Sequence, residues 1–144
     1  MSIDAHEVAP KLYVGSVPMS SLRWHFDTVV LCAEENQDID TDIETIRAPL
    51  DDGRVTPQLR RTALWAARKV VKHLKAGKRV LVTCTAGINR SSLVAALALM
   101  QLGTPAGLAI STIRQRRRPP GGFTPLSNYH FEAWLRTLGE KVQG

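Results

Sequence analysis

A chain of 144 residues, 44% of them hydrophobic and with a formal net charge of +6, reads as one domain, long enough for a real core. No apolar run approaches the roughly 18 residues of a membrane span, and Met1 to Pro10 lacks the basic and apolar regions of a secretory signal, so a soluble cytoplasmic protein is expected. Two cysteines, Cys32 and Cys84, cannot build a secreted disulfide framework, and no His/Cys cluster has zinc spacing, so neither metal nor cofactor is expected. The positive charge favours anionic partners without choosing among phosphoproteins, lipid headgroups and nucleic acid.

In chain order, Lys11 to Ser16 alternates as an edge strand closed by Gly15 and Pro18, and Ser20 to Phe26 reads as a short helix. Asp27 to Cys32 is a second, central strand. The acidic stretch from Glu34 to Glu44 contains Asp38-Ile39-Asp40-Thr41-Asp42. Ile43 stands there where a calcium loop needs Gly, and Pro49 where it needs a chelating Glu, so a solvated loop is expected. Thr45 to Leu50 is a third strand, delivering Asp51-Asp52-Gly53 to a turn.

Thr56-Pro57, Thr104-Pro105 and Thr124-Pro125 each place a capping hydroxyl before a proline and predict three helix starts. In the first helix Leu59, Ala63, Ala67, Val70, Val71 and Leu74 form the buried stripe, with Gly77 as its stop. Trp65 lies off that stripe, at the sheet edge or on a groove. Lys72, Lys75 and Lys78 suit the negative end of the helix dipole. Val80 to Val82 is a buried strand, and the apolar run from Leu93 to Met100 forms a central helix over Ser92 to Leu102, ended by Gly103. The helix from Pro105 to about Arg117 carries Arg114, Arg116, Arg117 and Arg118, read as a basic patch before Pro119-Pro120. Trp134 and Leu135 belong to the core of the last helix, and the tail from Gly139 is expected to fray.

Between strand and central helix lies Thr83-Cys84-Thr85-Ala86-Gly87-Ile88-Asn89-Arg90-Ser91. A thiol at a strand end, followed by a helix start, sits where free backbone N–H groups make an anion cradle. A phosphate held there takes hydrogen bonds from the amides of residues 85 to 90, and Arg90 grips two of its oxygens. The same field favours thiolate over thiol at Cys84. A departing ester oxygen needs an acid, and Asp52 is the candidate, with Asp51 the alternative; the same carboxyl can later deprotonate an attacking water.

Cys84, Arg90 and Ser91 resemble the Cys-x5-Arg-Ser/Thr signature of cysteine-based phosphatases, with Gly87 at the loop glycine. Leu12-Tyr13-Val14-Gly15-Ser16, Pro49-Leu50-Asp51-Asp52 and Gln115-Arg116-Arg117 extend the likeness to the compact, atypical dual-specificity phosphatases, over roughly residues 8 to 138. The resemblance implies a phosphocysteine intermediate on Cys84, Asp52 as general acid, and a Ser91 hydroxyl that helps the thiolate leave. It also implies a shallow pocket for phosphotyrosine and phosphoserine/threonine in proteins, and Asn128, in Asn128-Tyr129-His130-Phe131, as a brace of the phosphate loop. The family carries His immediately before the cysteine; here Thr83 holds no charge. Leu31-Cys32-Ala33-Glu34 resembles the phosphoinositide-phosphatase branch, which implies Cys32 as a redox partner beneath Cys84.

The expected fold is α/β: one domain over residues 1–144, a central sheet of four or five strands, partly parallel, with helices on both faces and the Cys84 loop at the C-terminal end of a central strand. The expected function is a protein phosphatase, monomeric and independent of membranes. Two alternatives stand beside it. Thr85 and Asn89 also resemble the loop of RNA 5′-triphosphatases, which would make an RNA 5′ end the partner. A phosphate-binding pseudophosphatase is the other, because Thr83 leaves the thiolate one cation short.

Overall fold

The computed structural model describes residues 3–17, 22–39 and 41–143. Its five strands are β1 (Ala5–Ala9), β2 (Leu12–Gly15), β3 (Thr28–Ala33), β4 (Glu44–Leu50) and β5 (Val80–Thr83). They form one sheet in the order β1-β2-β5-β3-β4. β1 runs antiparallel to β2 in a hairpin turned at Lys11, whose φ is 68°, and the other pairings are all parallel. The single domain, its α/β class and its partly parallel sheet match expectation. Strand β1 does not: its alternation is broken by charged and small residues, and only pairing with β2 defines it.

β3 and β5 are buried along their whole length, which is why both read as unbroken apolar runs rather than alternating ones. β5 is the middle strand, bonded to β2 on one side and β3 on the other. Successive side chains of a strand point to opposite faces. Val30, Cys32, Val80 and Val82 therefore join one large core with the helices, while Val29, Leu31 and Leu81 join a smaller one with Leu22 and Phe26.

The helices are α1 (Pro57–Lys75), α2 (Arg90–Gln101), α3 (Ala106–Arg116) and α4 (Tyr129–Gln143). All four pack on one face. Helices were expected on both faces; among the described residues none lies on the other face, which is closed by apolar side chains of irregular chain, Leu22, Phe26, Ile39 and Ile43 among them. Residues 22–26 form a turn, with the Phe26 N–H donating to Leu22 O at 2.8 Å, while the start of the helix expected there lies outside the described residues. α2 is buried from Ser91 to Leu99 and is central, as its composition requires.

Of the three Thr-Pro starts, one forms as read. Thr56 Oγ1 accepts the Leu59 N–H at 3.1 Å, with Pro57 in the first turn. At the second, Pro105 itself is the cap residue and no side chain closes the α3 terminus. At the third, Thr124-Pro125 leads into a turn with Leu126 at φ 60°, and α4 begins only at Tyr129. Asn128 caps it instead, its Oδ1 accepting the N–H of His130 at 3.0 Å and of Phe131 at 3.3 Å. An amide carbonyl caps as well as a hydroxyl and also brings two donors, which Asn128 uses elsewhere.

Candidate active site

The segments singled out for chemistry emerge at the C-terminal ends of the parallel strands, where open α/β sheets bind ligands. β5 delivers Cys84, β4 delivers Asp51 and Asp52, β3 delivers Glu34 and Glu35, and β2 ends at Gly15 beside them. No helix among the described residues is long and apolar enough to cross a membrane.

Cys84 is buried, only 3% exposed, and its Sγ lies 3.2 Å from the Ser91 Oγ on the first turn of α2. The loop between them is held from behind by its carbonyls. Arg117 Nη2 donates to Ala86 O at 2.9 Å, Arg117 Nε donates to Gly87 O at 2.9 Å, and the Leu126 N–H donates to Ile88 O at 2.9 Å. With three successive carbonyls drawn outward, the peptide planes turn their N–H groups the other way. None of the N–H groups of residues 85–89 donates to a protein acceptor among the described residues, so the loop has the form of an anion nest. Gly87 makes the tight turn, at φ 65°; a Cβ there would stand 2.4 Å from Arg117 Nη2 and 2.6 Å from the Gly15 carbonyl carbon.

Arg90 is oriented by an acidic partner. Its Nη1 and Nη2 each donate at 2.9 Å to one oxygen of Glu35, and Nη1 also faces Leu50 O at 3.5 Å. Glu35 further accepts from the Thr85 hydroxyl, to which Asn36 donates at 2.9 Å. The fork takes the end of the guanidinium, and the Nε side has no partner among the described residues, which leaves that edge for an oxyanion. The Arg90 hydrogen bond, helped by that of Thr85, lowers the Glu35 carboxyl from 4.5 to about 2, and the same bond raises the Arg90 guanidinium above its ordinary value.

Asp52 is set over the loop by two amides. Asn89 Nδ2 donates to its Oδ2 at 3.2 Å and Asn128 Nδ2 to its Oδ1 at 2.9 Å, while Asn128 Nδ2 also reaches Gly53 O at 3.0 Å. The backbone N–H of Asn128 donates to Asn89 Oδ1 at 3.0 Å. Asn128 thus contacts the phosphate loop only through Asn89; its side chain holds the acid loop. Asp51 makes no such contact, its carboxylate lying 3.0 Å from where a Gly53 Cβ would be. Thr83 is buried, and its hydroxyl donates to Val30 O at 3.4 Å rather than toward the sulfur. Cys32 is fully buried on β3, and that burial, reinforced by the neighbouring charge of Cys84, pushes its thiol well above the usual range. Both cysteines are free.

Two residues that matter here escaped the sequence reading. In the sequence Arg117 reads as part of a basic patch, but its side chain is 0% exposed and pairs with Asp4 at 2.8 Å. The signal was present: Ala106, Ala109, Ile110 and Ile113 are the buried stripe of α3, and Arg117 follows Ile113 by one more turn. Arg114 is also committed, to Pro125 O, Leu126 O and Glu132, so of that cluster Arg116 and Arg118 alone are exposed. Glu35 carried no signal beyond its place just after a strand.

Comparison with solved structures places this fold. Human DUSP28 superposes with a TM-score of 0.78 over 100% of this chain and 98% of its own, at 19% identity. A mouse putative dual specificity phosphatase superposes at 0.81 over 99% and 91%, also at 19% identity. The active form of Tk-PTP superposes at 0.76 over 98% and 99%, at 22% identity. The chain has the dual-specificity phosphatase fold. No protein-family model matches it and no curated protein is significantly similar in sequence. Within that fold Cys84 and Ser91 meet across the loop, Arg90 opens α2 beside them, and Asp52 is tied to the loop through Asn89.

Proposed function

We propose that the protein hydrolyses phosphate monoesters of proteins, phosphotyrosine foremost and phosphoserine/threonine where the pocket admits them. One observation carries the reading: Cys84 Sγ lies beside the Ser91 hydroxyl, the amides of residues 85–89 and Arg90 Nε have no protein partner among the described residues, and Asn89 of the same loop holds the Asp52 carboxyl together with Asn128.

The Cys84 thiolate attacks phosphorus along the line of the leaving oxygen. Loop amides and Arg90 hold the equatorial oxygens as charge develops there, and Asp52 gives its proton to the departing phenol or alcohol. Water, deprotonated by Asp52, then attacks the phosphocysteine, and Ser91 donates a hydrogen bond to the sulfur as it leaves. The chain's own residues supply every group in these steps. Tyr129, exposed and next in sequence to Asn128, offers an aromatic surface beside the residue that holds Asp52, which supports a peptide rather than a small metabolite. The reading carries with it a monomer in the reducing cytoplasm, where a thiolate persists.

The test is phosphate release from p-nitrophenyl phosphate, a phosphotyrosine peptide and a triphosphate-ended RNA by wild type, Cys84→Ser and Asp52→Asn. Turnover of the first two is expected, abolished by Cys84→Ser. Asp52→Asn is expected to lose about 10²–10⁴-fold on the peptide, and less on p-nitrophenyl phosphate, whose leaving group needs less protonation. Turnover of RNA alone would transfer the reading to an RNA 5′-triphosphatase. Tungstate or peptide binding without any turnover would make it a binding module; the mouse neighbour was solved complexed with zinc tungstate.

A further inference from the structure

Away from the Cys84 site, a groove of about 420 Å³ runs between β4 and the C-terminal half of α1. Glu44, Thr45, Ile46 and Arg47 form one side of it in unbroken sequence. β4 is the last strand of the sheet and pairs only with β3. Among the described residues no backbone group of residues 44–49 hydrogen-bonds outside that ladder, so one edge of the strand is open to the groove. Trp65, Lys69 and Lys72 of α1 make the opposite wall, and Lys78 closes one end.

The charge in this groove has one sign to spare. Glu44 is committed to His73, with Oε2 2.6 Å from Nε2, and His73 Nδ1 faces Lys69 O at 2.8 Å. Lys69, Lys72 and Lys78 form no ion pair among the described residues. Lys69 Nζ lies 5.7 Å from the centre of the Trp65 ring, itself 38% exposed. Cations along an open edge repel a second copy of the same edge, so the groove selects a strand of opposite charge.

We propose that this groove receives an extended acidic segment of a partner protein, which pairs with the free edge of β4 as a sixth strand and sets alternate carboxylates against Lys69, Lys72 and Lys78. Main-chain bonds to the edge supply affinity, and the lysines select the sequence. A simple anion would need only the lysines; the four consecutive strand residues along the groove favour a polypeptide. Side chains of an added strand alternate between faces, so acidic residues at every second position meet the α1 wall.

The probe is a labelled, end-capped peptide of about ten residues with Glu at alternate positions and Thr between them, so that it favours the extended form. Its anisotropy is measured against wild type, Lys69→Glu/Lys72→Glu and Cys84→Ser, with amide hydrogen exchange of residues 44–47. The expected result is saturable binding, weakened at least tenfold by the double charge reversal and unchanged by Cys84→Ser, with slowed exchange in β4. Binding that leaves β4 exchange unchanged, an equal response to inorganic polyphosphate, or no binding at all would each overturn the proposal. None of these readouts depends on phosphatase turnover, so failure of the catalytic reading leaves this test intact. Conversely, p-nitrophenyl phosphate turnover by the double variant reports on catalysis alone.

Discussion

Arg117 and Asp4, at opposite ends of the chain, meet through two hydrogen bonds of 2.8 and 3.0 Å, and the same guanidinium holds the carbonyls of Ala86 and Gly87. The bend before β1, the end of α3 and the phosphate loop are thereby fixed to one buried cation. Burial would raise the Asp4 carboxyl, but hydrogen bonds from Arg117 and Ser16 outweigh it and lower it. Burial, with the Arg117 charge beside it, lowers the His6 imidazole.

Arg117→Met should therefore cost on the order of 3 kcal/mol, the low end for a broken buried pair because Asp4 keeps some contact with water. The loop carbonyls would lose their donors as well. Urea denaturation should show the lost stability, and residual folded protein should bind tungstate more weakly. Arg117→Lys is expected to rescue little, since one ammonium cannot span Asp4, Ala86 O and Gly87 O together. Wild-type behaviour of both variants would remove Arg117 from the site.

Glu35 orients Arg90 without occupying the edge an oxyanion needs. Glu35→Ala should lower kcat/KM for p-nitrophenyl phosphate about tenfold to a hundredfold, the scale of a misplaced binding group. The pH dependence has a definite sign. Unfolded, Glu35 takes up its proton near 4.5; folded, it stays ionised to about 2. Its stabilisation is full above pH 4.5 and is lost as pH falls toward 2. Because Glu35 is half exposed, that contribution is screened. Urea midpoints between pH 4.5 and 2 should fall less steeply for Glu35→Ala than for wild type.

Ser91 Oγ stands 3.2 Å from the sulfur on a turn that is otherwise buried. Its hydrogen bond matters most when sulfur leaves phosphorus, so Ser91→Ala should slow the second step by about a hundredfold, the loss expected for one donor on developing charge. Rapid-mixing experiments with p-nitrophenyl phosphate should then show a burst of p-nitrophenol equal to the enzyme concentration. A uniform slowing with no burst would place the hydroxyl in the first step instead.

Cys32 lies buried on β3, close enough for Cys84 and Arg90 to influence its thiol. We expect peroxide to oxidise the Cys84 thiolate to the sulfenic acid, and the Cys32 thiol to displace water from it, forming a disulfide that a reducing agent reopens. Digestion without reduction should yield linked Cys32 and Cys84 peptides. Activity of Cys32→Ser should not return after peroxide and reductant; unlinked peptides and full recovery of the variant would exclude the pairing.

The local features were written in the chain. Unbroken β-branched runs marked β3 and β5 because both are buried on two faces, and the all-round apolar run after Arg90 marked α2 as central. A thiol at a strand end, a glycine and an arginine at a helix start define the cradle within nine residues, since strand, turn and helix are adjacent there. The sequence offers Asp52, with Asp51 beside it, for the same reason, as a carboxyl just past a strand. What the tertiary structure alone decided are relationships across long stretches of sequence. The pairing that makes β1 a strand, the burial of Arg117 on Asp4, the fork of Glu35 on Arg90 and the shared hold of Asn89 and Asn128 on Asp52 each join segments far apart in the chain. An isolated Arg or Glu looks like surface until folding removes its water, because a charge becomes a structural group only when a partner elsewhere in the sequence arrives to offset its desolvation.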